Sequence, residues 1–183
     1  MASPSKEERI LNLILENSPL KHWHFEEIVR TTKMARAAVN KWLRRYQKEG
    51  LIKRSKENGK FPYFTCGSNN PVYQSRKKIY MLNKLYQSGL IKQLISLRNA
   101  KTVIIFGSIA KGDWYKDSDI DIFAYGSLKG FEKHKYELIL HRDIELHVFE
   151  TKKDIKKVKT GLISNVINGY IVKGGLQEFI GVG

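Results

Sequence analysis

Apolar residues recur at helical spacing from the start of the chain. Ile10, Leu11, Ile14 and Leu15, separated by charges, predict an amphipathic helix over residues 6–17, with Ser5 as its cap and Pro19 beyond its end. A shorter helix is expected over residues 25–30 with Phe25, Ile28 and Val29 inward, followed by a turn over 31–34. A third helix runs over about 35–48, closed by Gly50, with Ala35, Ala38, Val39, Trp42, Leu43 and Tyr46 as its apolar stripe. Two extended pieces follow, 51–54 and 61–65, and Asn58-Gly59 between them signals a hairpin.

The helical period returns over residues 73–97. Ile79, Leu82, Leu85 and Tyr86, then Leu90, Ile91, Leu94 and Ile95, form the stripe, and Ser88-Gly89 breaks it into two helices. The period then changes. Residues 102–106 (TVIIF) read as a buried strand, and 119–123 (DIDIF) as an alternating one with Asp119 and Asp121 on one face. A turn over 126–130 and a helix over 131–140 follow. Residues 143–149 alternate again, with Ile144, Leu146 and Val148 inward and Asp143, Glu145 and His147 opposite. The segment LISNVINGYIVKG reads as a helix and a short strand. The fold class expected is α+β.

Composition narrows the class. With 183 residues, 42% of them hydrophobic, the chain can bury the core of one ordinary domain or two small ones. The single cysteine, Cys66, excludes an intrachain disulfide, and with five scattered histidines it excludes a Cys2His2 zinc site. No apolar run is long enough for a transmembrane helix, and the N-terminus lacks the pattern of a secretory signal. A soluble cytoplasmic protein without membrane contact is expected. The net charge of +15 is unevenly spread: 14 basic and 7 acidic residues lie in 1–66, 6 basic and none acidic in 67–100, and 13 basic and 11 acidic in 101–183. A basic first half attracts phosphate backbones, although high charge also serves solubility alone.

Residues 6–66, and above all TTKMARAAVNKWLRRYQKEGLIKRSKENGKFPYF, resemble the winged helix-turn-helix fold of transcription regulators. On the third helix Arg36, Asn40, Lys41, Arg44 and Arg45 lie off the apolar stripe, a face suited to the major groove of DNA. Lys53, Arg54, Lys56 and Lys60 are placed on the wing, beside a phosphate strand. A winged helix used for protein interaction, its basic face merely solvated, is the other reading. The expected division is a winged helix-turn-helix DNA-binding domain over 1–68, a basic helical linker and first catalytic helix over 69–99, and a catalytic domain over 100–183. The six basic residues of the linker suit a position facing DNA, and its apolar stripe suits a homodimer interface equally well.

The stretch FGSIAKGDWYKDSDIDIFA carries Gly107, Ser108, Ala110, Lys111, Gly112, Ser118, Asp119 and Asp121. It resembles the signature of the DNA polymerase beta superfamily of nucleotidyltransferases, above all the minimal nucleotidyltransferases, over about residues 88–175. That resemblance implies a small mixed sheet flanked by helices. It also implies two Mg2+ ions held by Asp119, Asp121 and a third carboxylate, for which Glu145 occupies the family position. Carboxylates suit hard cations, and two ions can activate a nucleophile and stabilise a leaving group. Gly107 and Ser108 are expected to approach the triphosphate, with Lys111, Gly112 and Ser118 also in the nucleotide-binding loop, although Lys111 equally suits a solvated surface and Ser118 a turn cap. Asp113 reads as a turn residue; His147 could stand near the metals, although a lone strand histidine is more often structural. Lys152, Lys153, Lys156, Lys157 and Lys159 read as a solvated helix face.

The function expected is Mg2+-dependent transfer of a nucleoside monophosphate, with ATP as the expected donor, to an acceptor hydroxyl. The winged helix would tether this enzyme to DNA. Minimal family members imply an antitoxin-like role with a HEPN-type toxin as acceptor. The alternative is a DNA-binding regulator whose second domain only senses nucleotide. Modification of a small molecule leaves the winged helix without a role.

Overall fold

The computed structural model describes residues 6–156, 158 and 160–179. Ser5, Lys157 and Lys159, to which roles were assigned above, lie outside them. The chain divides into two compact units, Met1–Lys77 and Lys78–Gly183.

The first unit opens with α1 (Lys6–Glu16), β1 (Trp23–His24), α2 (Phe25–Thr32) and α3 (Arg36–Lys48), and continues with β2 (Ile52–Ser55) and β3 (Tyr63–Cys66). Ile10, Ile14 and Leu15 of α1 are buried, as are Ile28 of α2 and Val39, Leu43 and Tyr46 of α3. These are the apolar positions of the helical period, so burial of one face of each helix organises this unit. Ala35, expected on the stripe, is exposed and precedes α3. The helix α2 runs two residues further than expected, because the Thr32 hydroxyl donates to the Ile28 carbonyl at 2.7 Å and Lys33 then turns left-handed at φ 53°. At the end of α3 the chain reverses at Gly50, φ +73°, where a Cβ would collide with the Asn70 amide.

β2 and β3 form the hairpin expected around Asn58-Gly59, with Gly59 at φ +74°. The sheet has a third member that periodicity did not announce. β1 pairs antiparallel with β3, Trp23 opposite Phe64 and His24 opposite Tyr63, giving the order β1-β3-β2. A strand of two residues carries no alternation to read.

The boundary between the units falls inside α4 (Pro71–Gln87). Tyr73, Lys77, Met81 and Leu85 are its buried positions, whereas Ile79 and Tyr86 are exposed. Of the stripe expected from Ile79, Leu82, Leu85 and Tyr86, Leu85 is buried and Leu82 half-buried, whereas Ile79 and Tyr86 face outward, so the buried face is shifted towards Tyr73, Lys77 and Met81. Lys77, counted above among the basic residues facing DNA, is 1% exposed, with its Nζ 5.5 Å from the Tyr73 ring centre. A lysine stem can cover apolar surface, which hides such a position from a hydrophobic count.

In the second unit α5 (Leu90–Ser96) follows a left-handed Gly89. Then come β4 (Ala100–Phe106), α6 (Gly107–Lys111), β5 (Ile120–Gly126), α7 (Lys133–Leu140) and β6 (Ile144–Phe149). α8 (Lys152–Lys156), α9 (Thr160–Ile167) and β7 (Tyr170–Lys173) lead to a 3-10 turn at Leu176–Glu178. The four strands lie in the order β6-β5-β4-β7. β4 is antiparallel to both β5 and β7, and β5 is parallel to β6, so the sheet is mixed. On one face Ile104, Phe106, Phe123 and Tyr125 pack with Ile155, Val166 and Phe179.

On β6 the expected inward set is only partly correct. Ile144 is buried, but Val148 is 40% exposed, and Phe149 on the other face packs against the core cluster. β6 is an edge strand whose second face is only partly covered, so alternation there does not separate core from solvent.

Candidate active site

β4, β5 and β6 present three adjacent positions at one end of the sheet. Phe106 pairs with Asp121, and Asp121 with Glu145. Strand register thus brings together two carboxylates that lie 24 positions apart in sequence. His147, two residues beyond Glu145 on the same face, joins them: one ligand atom from each of Asp121, Glu145 and His147 lies within 4.8 Å of the others. The His147 Nε2 is 3.3 Å from Glu145 Oε1, and its ring packs tilted against Phe106 at 5.3 Å. Of the two readings of His147 given above, proximity to the carboxylates is the one the geometry favours. The alternation of β6 had placed it on the face of Glu145, and that was the available signal.

The turn after β4 makes room for this arrangement. Gly107 has φ +69°, and a Cβ there would overlap the Asp121 carboxylate. The glycine expected to approach a triphosphate also lets Asp121 sit against the backbone. α6 then ends at Gly112, φ +80°, whose N–H donates to the Ser108 carbonyl at 2.9 Å. Ser108 is half-buried within α6, and Lys111 at its end is exposed.

Asp121 is held above the ordinary carboxylate range. Burial is the largest cause, followed by the negative charge of Glu145; Asp119 adds to the rise, while His147 and Lys111 oppose it. Asp119 thus acts electrostatically on Asp121, yet it stands outside the three-residue cluster. β5 begins at Ile120, and Asp119 is an exposed residue of the preceding turn rather than the first residue of the strand.

That turn is built by its own hydrogen bonds. The Ser118 hydroxyl accepts from the Tyr115 N–H at 3.0 Å, and the Ser118 N–H donates to the Tyr115 carbonyl at 3.0 Å. Ser118 thus caps the turn. Arg142, only 9% exposed, donates through one nitrogen to the Tyr115 carbonyl at 2.7 Å and the Ser118 carbonyl at 2.6 Å. Its guanidinium lies 5.1 Å from the Trp114 ring centre. Nothing in the sequence distinguished Arg142 from a surface arginine, because its partners are carbonyls that only folding brings near. Asp113, read as a turn residue, is exposed and its N–H donates to the Ser108 carbonyl at 3.3 Å. A cavity of about 470 Å³ opens beside this turn, lined in part by Asp119, Lys116, His134, His141 and Asp143.

Asp121 and Glu145 offer hard oxygen donors, as a divalent cation requires. Burial and like charge already oppose the ionised form of Asp121, so a cation there would relieve a cost that the fold has created. The donor set therefore fits the cations that the polymerase beta resemblance implies.

In the first unit Arg36, Asn40, Lys41, Arg44 and Arg45 are exposed on α3 and Lys53 and Arg54 on β2, with Lys60 in the hairpin turn. Three of these cations have carboxylate partners. Arg36 pairs with Glu26 at 2.6 Å, Arg45 with Glu49 at 2.7 Å and Lys60 with Glu57 at 2.6 Å.

No curated protein matches the chain. Residues 89–175, just under half of it, match the family model described as polymerase beta, nucleotidyltransferase. The matched span holds Gly107, Asp121, Glu145 and His147, and the match supports a nucleotidyltransferase domain of the polymerase beta superfamily over those residues.

Proposed function

We propose that the second unit transfers a nucleoside monophosphate from a nucleoside triphosphate, with ATP the expected donor, to an acceptor hydroxyl. The observation that carries this reading is the pairing of Asp121 with Glu145 across parallel strands beneath Gly107, inside the matched family segment. The acceptor oxygen forms a bond to the α-phosphorus, the bond from that phosphorus to the bridging oxygen breaks, and pyrophosphate leaves. Asp121 and Glu145, with Asp119 alongside, would hold two Mg2+ ions, which would supply charge neutralisation and an activated acceptor oxygen. Glu145 is exposed, so its carboxylate can meet an acceptor arriving from solvent and take its proton. Gly107 and Ser108 turn tightly beside Asp121, and Lys111 carries positive charge to the same place. Arg142 and Ser118 keep the turn before Asp119 in one conformation. The cavity beside Asp119 gives a substrate room next to these groups.

The first unit is read as a winged helix-turn-helix that holds the enzyme on DNA. Its element order and the exposed Asn40, Lys41, Arg44, Lys53 and Arg54 support this. An antitoxin-like role, with a HEPN-type protein as acceptor, follows from the family resemblance alone.

Incubation with labelled nucleoside triphosphates, Mg2+ and cell extract tests the catalytic reading. Label should move to an acceptor with the natural chain and not with the Asp119→Ala/Asp121→Ala double variant. Nucleotide binding without transfer to any acceptor would replace the enzyme with a nucleotide-sensing regulator.

A further inference from the structure

The cluster that the fold assembles contains an imidazole as well as carboxylates. Asp121, Glu145 and His147 place one donor atom each within 4.8 Å of the other two, whereas Asp119 lies outside that group. Nε2 of His147 faces the Glu145 carboxylate at 3.3 Å, and the ring is held from behind by Phe106. His147 is about one-quarter exposed at its side chain, so a bound ion at Nε2 would remain open to substrate. Ligand bonds to a divalent transition metal run to roughly 2.0–2.2 Å. Donors at adjacent octahedral positions around such an ion lie about 3 Å apart, so Nε2 of His147 and Oε1 of Glu145, at 3.3 Å, are already near that spacing, and a pair at the 4.8 Å limit would close by about 1.8 Å.

We propose that Asp121, Glu145 and His147 form an N,O,O site that binds an octahedral transition-metal ion of the Mn2+ type in preference to Mg2+. The inference rests on the divalent-cation reading of this site and adds His147 to it. Mg2+ keeps to oxygen donors and gives up water reluctantly, so an imidazole nitrogen contributes little to its binding. Imidazole suits the later first-row ions best; Mn2+ is the weakest binder of that series and shares the carboxylate preference of Mg2+, but as a transition-metal ion it takes a nitrogen donor more readily than Mg2+ does. Two carboxylates alone would discriminate weakly between these ions; the nitrogen donor tips the balance. β6 supplies this nitrogen because positions 145 and 147 share one face of a strand. Three protein ligands leave up to three positions of an octahedron for water or phosphate oxygens.

Mn2+ itself is the probe, added to the full chain without nucleotide. Pulsed electron paramagnetic resonance should show nitrogen coupled to the bound Mn2+. Calorimetric titration should give an affinity for Mn2+ at least tenfold above that for Mg2+. In His147→Asn, with a far-ultraviolet spectrum matching the natural chain, the nitrogen coupling should disappear and the affinity ratio should fall severalfold. Bound Mn2+ without nitrogen coupling in the natural chain overturns the proposal and leaves an oxygen-only cation site standing. An unchanged affinity ratio in His147→Asn also overturns it. Absence of binding by either ion overturns the proposal together with the cation reading beneath it. The coupling measured on the natural chain requires no variant to fold.

Discussion

Asp121 carries its negative charge against two opposing influences, burial in the strand and the charge of Glu145 across from it. Its proton affinity is raised in the folded state, so between the ordinary carboxylate range and the raised value the native chain binds more protons than the unfolded one. Stability contributed through this group therefore falls as pH rises through that window and stays lower above it. Asp121→Asn should raise the melting temperature of the ion-free protein at neutral pH and flatten its dependence on pH across the mildly acidic range. The same change should lower nucleotidyl transfer by about 100-fold or more, the scale of losing one preorganised electrostatic group. A melting temperature that falls, measured in the presence of a chelator, would contradict the strain assigned to Asp121. The carboxylate itself was legible in Ser-Asp-x-Asp and its meeting with Glu145 was implied by the family resemblance, but the cross-strand register that sets the two opposite each other and raises Asp121 was not.

Two elements behave differently from their periodicity. In β6 the residues Ile144, Leu146 and Val148 alternate as a core face would, yet Val148 is 40% exposed and Phe149 stacks against Phe123 at 5.5 Å. Val148→Thr should change unfolding free energy by no more than about 0.5 kcal/mol. Phe149→Ala should cost about 2–3 kcal/mol, below the range for a fully buried phenylalanine, as denaturant titration would report. The turn before β5 is the second case. Arg142 closes it through the Tyr115 and Ser118 carbonyls. Hydrogen bonds to a charged donor are each worth about 1.5–3 kcal/mol. Arg142→Met should therefore destabilise the chain by about 3 kcal/mol and reduce transfer further, by loosening Asp119. Arg142→Lys should restore little, since an ammonium does not reproduce a planar guanidinium that reaches two carbonyls and lies over the Trp114 ring. Equal melting temperatures for Arg142→Lys and the natural chain would remove that geometric role.

At the scale of the whole molecule, charge and chemistry are divided along the chain. The first 100 residues carry 20 basic against 7 acidic side chains, while the catalytic span is nearly balanced. If the first unit holds duplex DNA, log affinity should fall linearly with log salt, by about 0.9 for each phosphate contacted. Arg44→Ala/Arg54→Ala in the full chain should then reduce that slope by about 1.8, and an unchanged slope in a filter-binding titration would leave these residues as solvated surface. Arg36, Arg45 and Lys60 are weaker choices for such a test, because each already has a carboxylate within 2.7 Å. By itself the sequence determined what local rules control. Helix existence follows from apolar spacing, the hairpin from Asn-Gly, and the catalytic candidates from Gly-Ser and Ser-Asp-x-Asp at fixed separation. Tertiary structure alone decided what depends on residues distant in the chain. Strand pairing set Asp121 opposite Glu145 and brought His147 to them, and the missing Cβ of Gly107 was reserved for the Asp121 carboxylate. Carbonyls from one turn likewise drew in Arg142 from beyond α7. Periodicity reports which face of an element is apolar; register and packing decide what that face meets.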